Sequence, residues 1–89
     1  MSSRRDINVA GVRVAARYAP ELIRRLRRAG YPSVAFKVER ALSTRTVHVD
    51  FNAVEREAIV RAVANRPPQF SELYDVLLAE LKRRRAERR

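Results

Sequence analysis

The chain has 89 residues, 46% of them hydrophobic, and no cysteine, which predicts one domain with a thin core. That content is too high for a disordered chain, and disulfides and thiolate metal sites are excluded. Twenty bases against ten acids give a net charge of +10, a balance that speaks of an acidic partner rather than of a fold.

The N-terminal stretch GVRVAARY alternates Val12, Val14 and Ala16 against Arg13, Ala15 and Arg17, the period of a strand. Ile7 and Val9 have the opposite parity, which predicts a bulge at Gly11. A helix from Asp6 to Ala19, through Val9, Val12, Ala16 and Ala19, is the alternative. Arg13, Arg17 and Pro20 interrupt what a signal peptide would keep apolar. No apolar run approaches the roughly 20 residues that cross a bilayer, so a cytoplasmic location is expected.

Pro20 suits the first position of a helix, and Gly30 suits its stop. Between them, Leu22, Leu26 and Ala29 fall within about 60° on a helical wheel, with Ile23 at the margin. Arg24, Arg25, Arg27 and Arg28 fill the rest of the wheel, and Glu21 is the one acid. Like charges one turn apart destabilise a helix by a few tenths of a kcal/mol per pair. A polyanion converts that repulsion into attraction; the plain alternative is a solvated outer face.

Residues 33–39, SVAFKVE, alternate Val34, Phe36 and Val38 against Ala35, Lys37 and Glu39, which predicts a strand with one buried face. The competing reading is a helix over 33–42 with Val34, Val38, Ala41 and Leu42 on one side. Residues 44–51, TRTVHVDF, are β-branched and alternate Val47, Val49 and Phe51 against Thr46, His48 and Asp50, a second strand. The short link through Ala41, Leu42 and Ser43 predicts an antiparallel hairpin, although it lacks an Asn-Gly turn.

Asn52 and Glu55 have the spacing of a capping box. They predict a helix over 52–65, with Val54, Ala58, Ile59, Ala62 and Val63 facing inward and Pro67 and Pro68 beyond its end. Ser71 then starts a last helix, residues 70–85. Its apolar stripe of Phe70, Leu73, Tyr74, Leu77, Leu78 and Leu81 is about 140° wide, enough that part of it could face a second chain. Acids near its start and bases near its end both suit the helix dipole.

These elements predict an α+β fold of order β-α-β-β-α-α. A small three-stranded antiparallel sheet, or a two-stranded hairpin, would have its helices packed on one face. Residues 1–81 would form the domain, and 82–89 a basic helix end or tail. The charge is unevenly placed. Residues 1–45 hold 11 bases and 3 acids, residues 46–81 hold 3 and 6, and residues 82–89 hold 6 and 1. Such asymmetry predicts a basic working surface beside an acidic structural element.

The expected function is therefore nucleic-acid binding, mainly to the phosphate backbone of duplex DNA or structured RNA. Arg24, Arg25, Arg27 and Arg28 come first as contacts. Arg13, Arg17 and Lys37, on an exposed sheet face with Thr46 and His48, come second, together with Lys82, Arg83, Arg84 and Arg85 of the tail. Phe36 and Phe51 point inward on this register, which leaves Tyr18 and Tyr31 and argues against a base-stacking platform. An alternative is an adaptor or accessory subunit that meets an acidic protein, or a homodimer through helices 52–65 and 70–85. No cofactor, metal or membrane partner is expected: there is one histidine, no spaced carboxylate cluster, and only two glycines for a phosphate-cradling loop.

His48 and Asp50 share a strand face, so a general base oriented by a carboxylate is conceivable, but a lone exposed histidine is ordinarily inert and no enzyme is expected. A helix ending in Gly30-Tyr31, followed by two strands with a histidine, resembles HicA-type RNA-cleaving toxins. The Gly-Ser-His element of that family reads Ser43-Thr44-Arg45-Thr46-Val47-His48 here. The resemblance covers about thirty residues and implies a small ribonuclease acting through His48.

Overall fold

A computed structural model describes residues 6–44 and 48–87. The chain is an α+β fold whose described residues hold three strands and four α-helices. In order these are β1 (Asp6–Val9), β2 (Val12–Ala15), α1 (Ala19–Arg28), α2 (Pro32–Ser43), β3 (His48–Val49), α3 (Ala53–Ala62) and α4 (Ser71–Glu87). Short 3-10 turns at Ala16–Tyr18 and Pro68–Phe70 lead into α1 and α4.

The first two strands form an antiparallel hairpin, with Ile7 opposite Val14 and Val9 opposite Val12. Ala10 and Gly11 are the whole turn, at φ +55° and +90°, the pair of positive values that a two-residue hairpin of this twist requires. The Gly11 N–H donates to Asn8 Oδ1 at 2.8 Å, which braces the turn. The change of parity between Val9 and Val12 is thus a turn and not a bulge. Two intervening residues bring Ile7, Val9, Val12 and Val14 onto one buried face. The alternative helix over 6–19 is ruled out by the same hairpin.

Helix α1 is as expected from its spacing. Leu22, Ile23 and Leu26 are buried, and its C-terminus closes in a Schellman motif around Gly30 (φ +94°). There the Tyr31 N–H donates to the Leu26 carbonyl at 2.9 Å and the Gly30 N–H to that of Arg27 at 3.1 Å, satisfying carbonyls the helix leaves open.

Residues 33–39 are helical, not a strand. Val34 and Val38 lie four apart, so they satisfy both periods, and the residues between them decide. A strand buries Phe36 and exposes Ala35, whereas Ala35 is 0% and Phe36 58% exposed. With Ala41 they complete a helical stripe that packs α2 against α1. Among the described residues, the second predicted strand is present as His48–Val49. It pairs parallel to β1, Val9 beside Val49, giving a mixed sheet of order β2-β1-β3. Val49 and Phe51 are buried as expected; Thr46 and Val47 lie outside the described residues, as does the side chain of His48.

The capping box is formed at α3: the Glu55 N–H donates to Asn52 Oδ1 and the Asn52 N–H to Glu55 Oε1, each at 2.8 Å. Val54 is corrected from the inner stripe. It is 77% exposed, and Val60 is buried with Ala58, Ile59, Ala62 and Val63 instead. Helix α4 packs against α3 and β2; its Leu73 and Leu77 are buried, as is Phe70 in the turn before it, with Tyr74, Leu78 and Leu81 partly covered. Its 17 residues span about 25 Å in a molecule 48 Å in its longest dimension. Lys82 to Arg85 continue the helix without a break, all exposed.

Candidate nucleic-acid interface

The arginine face of α1 is less bare than its sequence. The Glu21 carboxylate accepts from Arg24 Nη2 at 2.7 Å and from Arg25 Nε at 3.0 Å, because positions three and four residues on lie beside it. Its pKa is held below the ordinary carboxylate value, first by the Arg24 hydrogen bond and, against the opposing effect of desolvation, by the charge of Arg24 and the hydrogen bond and charge of Arg25. Arg25 also donates to Asn65 Oδ1 at 2.9 Å. Arg27 donates to Glu39 Oε1 of α2 at 2.6 Å. Two carboxylates therefore stand among four guanidiniums. Arg28 alone of the four makes no ion pair or hydrogen bond among the described residues. Arg24 and Arg27 are solvent-facing, whereas Arg25 is part-buried; the paired arginines keep spare donors, since a guanidinium carries five N–H groups, but the net charge of the face is halved.

Lys37 leaves the predicted interface. Its position belongs to a helix, not to an exposed sheet face. The Nζ donates to the Asp50 carbonyl at 2.8 Å and to Glu55 Oε1 at 2.9 Å, 5.1 Å from the centroid of the Phe51 ring. It ties α2 to the start of α3. That ammonium and the Asn52 N–H together hold the Glu55 carboxyl below its ordinary value, against the upward push of its burial, which is the largest single influence.

Arg13 extends from β2 with its side chain 81% exposed and only a 4.0 Å approach to Asp6. Arg17 lies over the Tyr18 ring, 5.0 Å from its centroid, and Tyr18 meets Phe70 edge-on at 6.4 Å. One of the two tyrosines left for stacking is thereby occupied. Lys82, Arg83, Arg84 and Arg85 are exposed and make no ion pair or hydrogen bond among the described residues. Successive residues turn by about 100° along a helix, so these four cations point nearly all the way round its end. The structure presents a cationic helix tip and, separately, a partly neutralised arginine face. Arg13, Arg17 and Lys37 do not form the expected second face.

Sequence reasoning missed one feature. Phe36, turned outward by the helix, and Arg40, one turn later, line a groove of about 470 Å³ with Val49 and Asp50 on its other side. The Arg40 side chain makes no ion pair or hydrogen bond among the described residues. The helical alternative for 33–42 carried the signal, since it leaves Phe36 off the Val34–Val38–Ala41 stripe.

The residues after Gly30-Tyr31 form α2 where the HicA-type order requires a strand, so that likeness fails at the first of its two strands. The predicted contact of His48 with Asp50 involves a side chain outside the described residues. No cluster of three potential metal ligands occurs among the described residues, and none of their helices is long and apolar enough to cross a membrane. No protein-family model, curated protein or solved structure matches the chain.

Proposed function

We propose that the protein binds nucleic acid, duplex DNA or structured RNA, chiefly through the phosphate backbone. The end of α4 is the principal contact, and the face of α1 with Arg13 and Arg17 is the secondary one. This reorders the sequence-based expectation, which put α1 first, because α1 carries its own counter-charges and the tip of α4 does not. One observation carries the reading: four consecutive cations, Lys82 to Arg85, are exposed at a helix end with no carboxylate bound to them among the described residues. Cations so placed displace the counterions condensed on a polyanion and gain affinity by doing so. A cytoplasmic location accords with such a partner.

The test is a gel shift against duplex DNA and structured RNA across a salt series. Four phosphate contacts give a slope of about −3.6 in log K against log salt for duplex DNA, a loss on the order of a hundredfold between 50 and 200 mM. Replacing Lys82, Arg83, Arg84 and Arg85 with glutamine removes most of that slope and leaves the fold intact. Micromolar protein that shifts neither nucleic acid at about 50 mM salt refutes the reading, since non-specific binding is measurable there.

Val76, 39% exposed on α4, favours a second reading, in which α3 and α4 meet another copy or a protein partner. Sedimentation of the free protein at high and low concentration distinguishes it.

A further inference from the structure

We propose that the groove between α2 and Val49–Asp50 accepts an unpaired base of single-stranded nucleic acid, stacked on Phe36, with Arg40 holding a neighbouring phosphate. The inference rests on the nucleic-acid reading above and adds to it a distinct site and a distinct class of strand.

Phe36 is the most exposed aromatic side chain of the described residues, at 58%. It is not a loose ornament of a loop. Its helix is anchored through buried Val34, Ala35, Val38 and Ala41, and its neighbour Lys37 fastens that helix to the Asp50 carbonyl and to Glu55. The ring is therefore presented by a fixed wall, and the far wall, at Asp50, is held by the same ammonium. A flat apolar face on a rigid support is what base stacking uses, and it tolerates any base because each has a π-face.

Arg40 supplies the second half. Residues four apart on a helix have side chains about 5–6 Å apart at their origins, comparable to the reach from a base to its own phosphate. Lys37 has spent its charge on Glu55, so Arg40 is the cation available among the described residues that line the groove. The volume of about 470 Å³ falls inside the range of small-ligand sites, roughly 300–1,000 Å³, and it is open on one side, so a strand can enter and leave. A base inside a duplex cannot reach Phe36 without leaving its stack. The site thus selects loops and single strands, whereas the tip of α4 contacts any phosphate backbone. Stacking joined to an arginine contact is also how unpaired RNA bases are commonly held.

The chain has no tryptophan, so Phe36→Trp creates a fluorophore that reports this groove alone. The expected result is strong quenching of its emission by an oligothymidylate or oligouridylate of about 10 nucleotides. Duplex of the same length leaves the emission unchanged while still shifting in a gel. Phe36→Ala lowers single-strand affinity about five- to a hundredfold and spares duplex binding. Arg40→Gln reduces the single-strand salt slope by about 0.7. Circular dichroism confirms that the exposed substitutions leave the helices in place, and Phe36→Tyr retains binding.

Gel shifts with both strands but no quenching overturn the groove and leave the phosphate reading standing. Equal quenching by duplex overturns it too. Quenching by an acidic peptide such as oligoglutamate, and not by the oligonucleotide, reassigns the groove to a protein partner. Failure to bind any nucleic acid overturns both proposals together.

Discussion

Gly30 sets the turn from α1 into α2, and replacing it tests whether that turn is fixed by backbone conformation alone. Its φ is +94°, and a Cβ built there meets nothing within 4 Å. Gly30→Ala therefore introduces no clash, and the whole penalty is that of holding an L-residue in left-handed space, roughly 1–2 kcal/mol. Alanine also narrows the unfolded ensemble, which offsets about 0.4–1 kcal/mol. A net loss of about 1 kcal/mol is expected, or a fall in Tm of about 4–8 °C for a chain of this size. Urea and thermal melts followed by circular dichroism measure it, and an unchanged m-value shows that stability has changed without a change in the surface exposed on unfolding. Gly30→Asn loses less, because asparagine tolerates this region. The reasoning is refuted if the alanine variant melts within about 1 °C of the parent, or if asparagine is as damaging as alanine.

The Glu55 carboxyl is lowered from its ordinary 4.5, so its charged form contributes stability above the unfolded value, and that contribution is lost as pH falls through the folded one. Acid melts of the parent should steepen below about pH 4.5, and Glu55→Gln, which can still serve the capping box, should flatten that slope. Phe70 is fully buried beneath the Tyr18 ring. Phe70→Ala is expected to remove about 3–5 kcal/mol, much of the roughly 4–13 kcal/mol available to a chain this long. Val54→Ala, at a site 77% exposed, should shift the same urea midpoint by less than about 0.5 kcal/mol in free energy.

What the sequence disclosed depended on whether a signal was local. Pro20, the Leu22–Leu26 spacing and Gly30 fix α1 between them, and Asn52 with Glu55 marks the start of α3 to the residue. The α4 stripe reads correctly for the same reason. Val34 and Val38 fit two periods at once, and choosing the strand turned Phe36 inward and moved Lys37 onto a sheet face that does not exist. The hairpin left a visible mark, the parity change at Gly11. An Ala-Gly pair is an uncommon turn, because Ala10 must itself hold a positive φ, and that hid its meaning. The site followed the same rule. The fork of Glu21 onto Arg24 and Arg25 lies within one helix and is readable from spacing. The Arg27–Glu39 bridge joins two helices, and α2 had to be recognised as a helix before Glu39 could be placed beside α1.

The distribution of ion pairs bears on which cations are there for the fold. In α3 and the turn after it, each arginine has a carboxylate: Arg56 with Glu80 at 2.6 Å, Arg61 with Glu57 at 2.8 Å, and Arg66 with Asp75 at 2.8 Å. Arg56 also donates to the Phe51 carbonyl at 2.9 Å, so it joins α3, α4 and the chain between β3 and α3. Lys37 performs a similar task across α2. These cations serve packing, and their loss would be felt in stability. Lys82 to Arg85 touch none of it. Their mutual repulsion opposes the helix they extend, and the helix dipole offsets only part of it, up to about 1 kcal/mol per exposed charge. A chain under selection for folding alone gains nothing from four such residues in a row. The proposed reading therefore separates cleanly in experiment: neutral substitutions at the tip of α4 weaken binding without lowering the melting temperature, and substitutions at Lys37 or Arg56 lower the melting temperature without weakening binding.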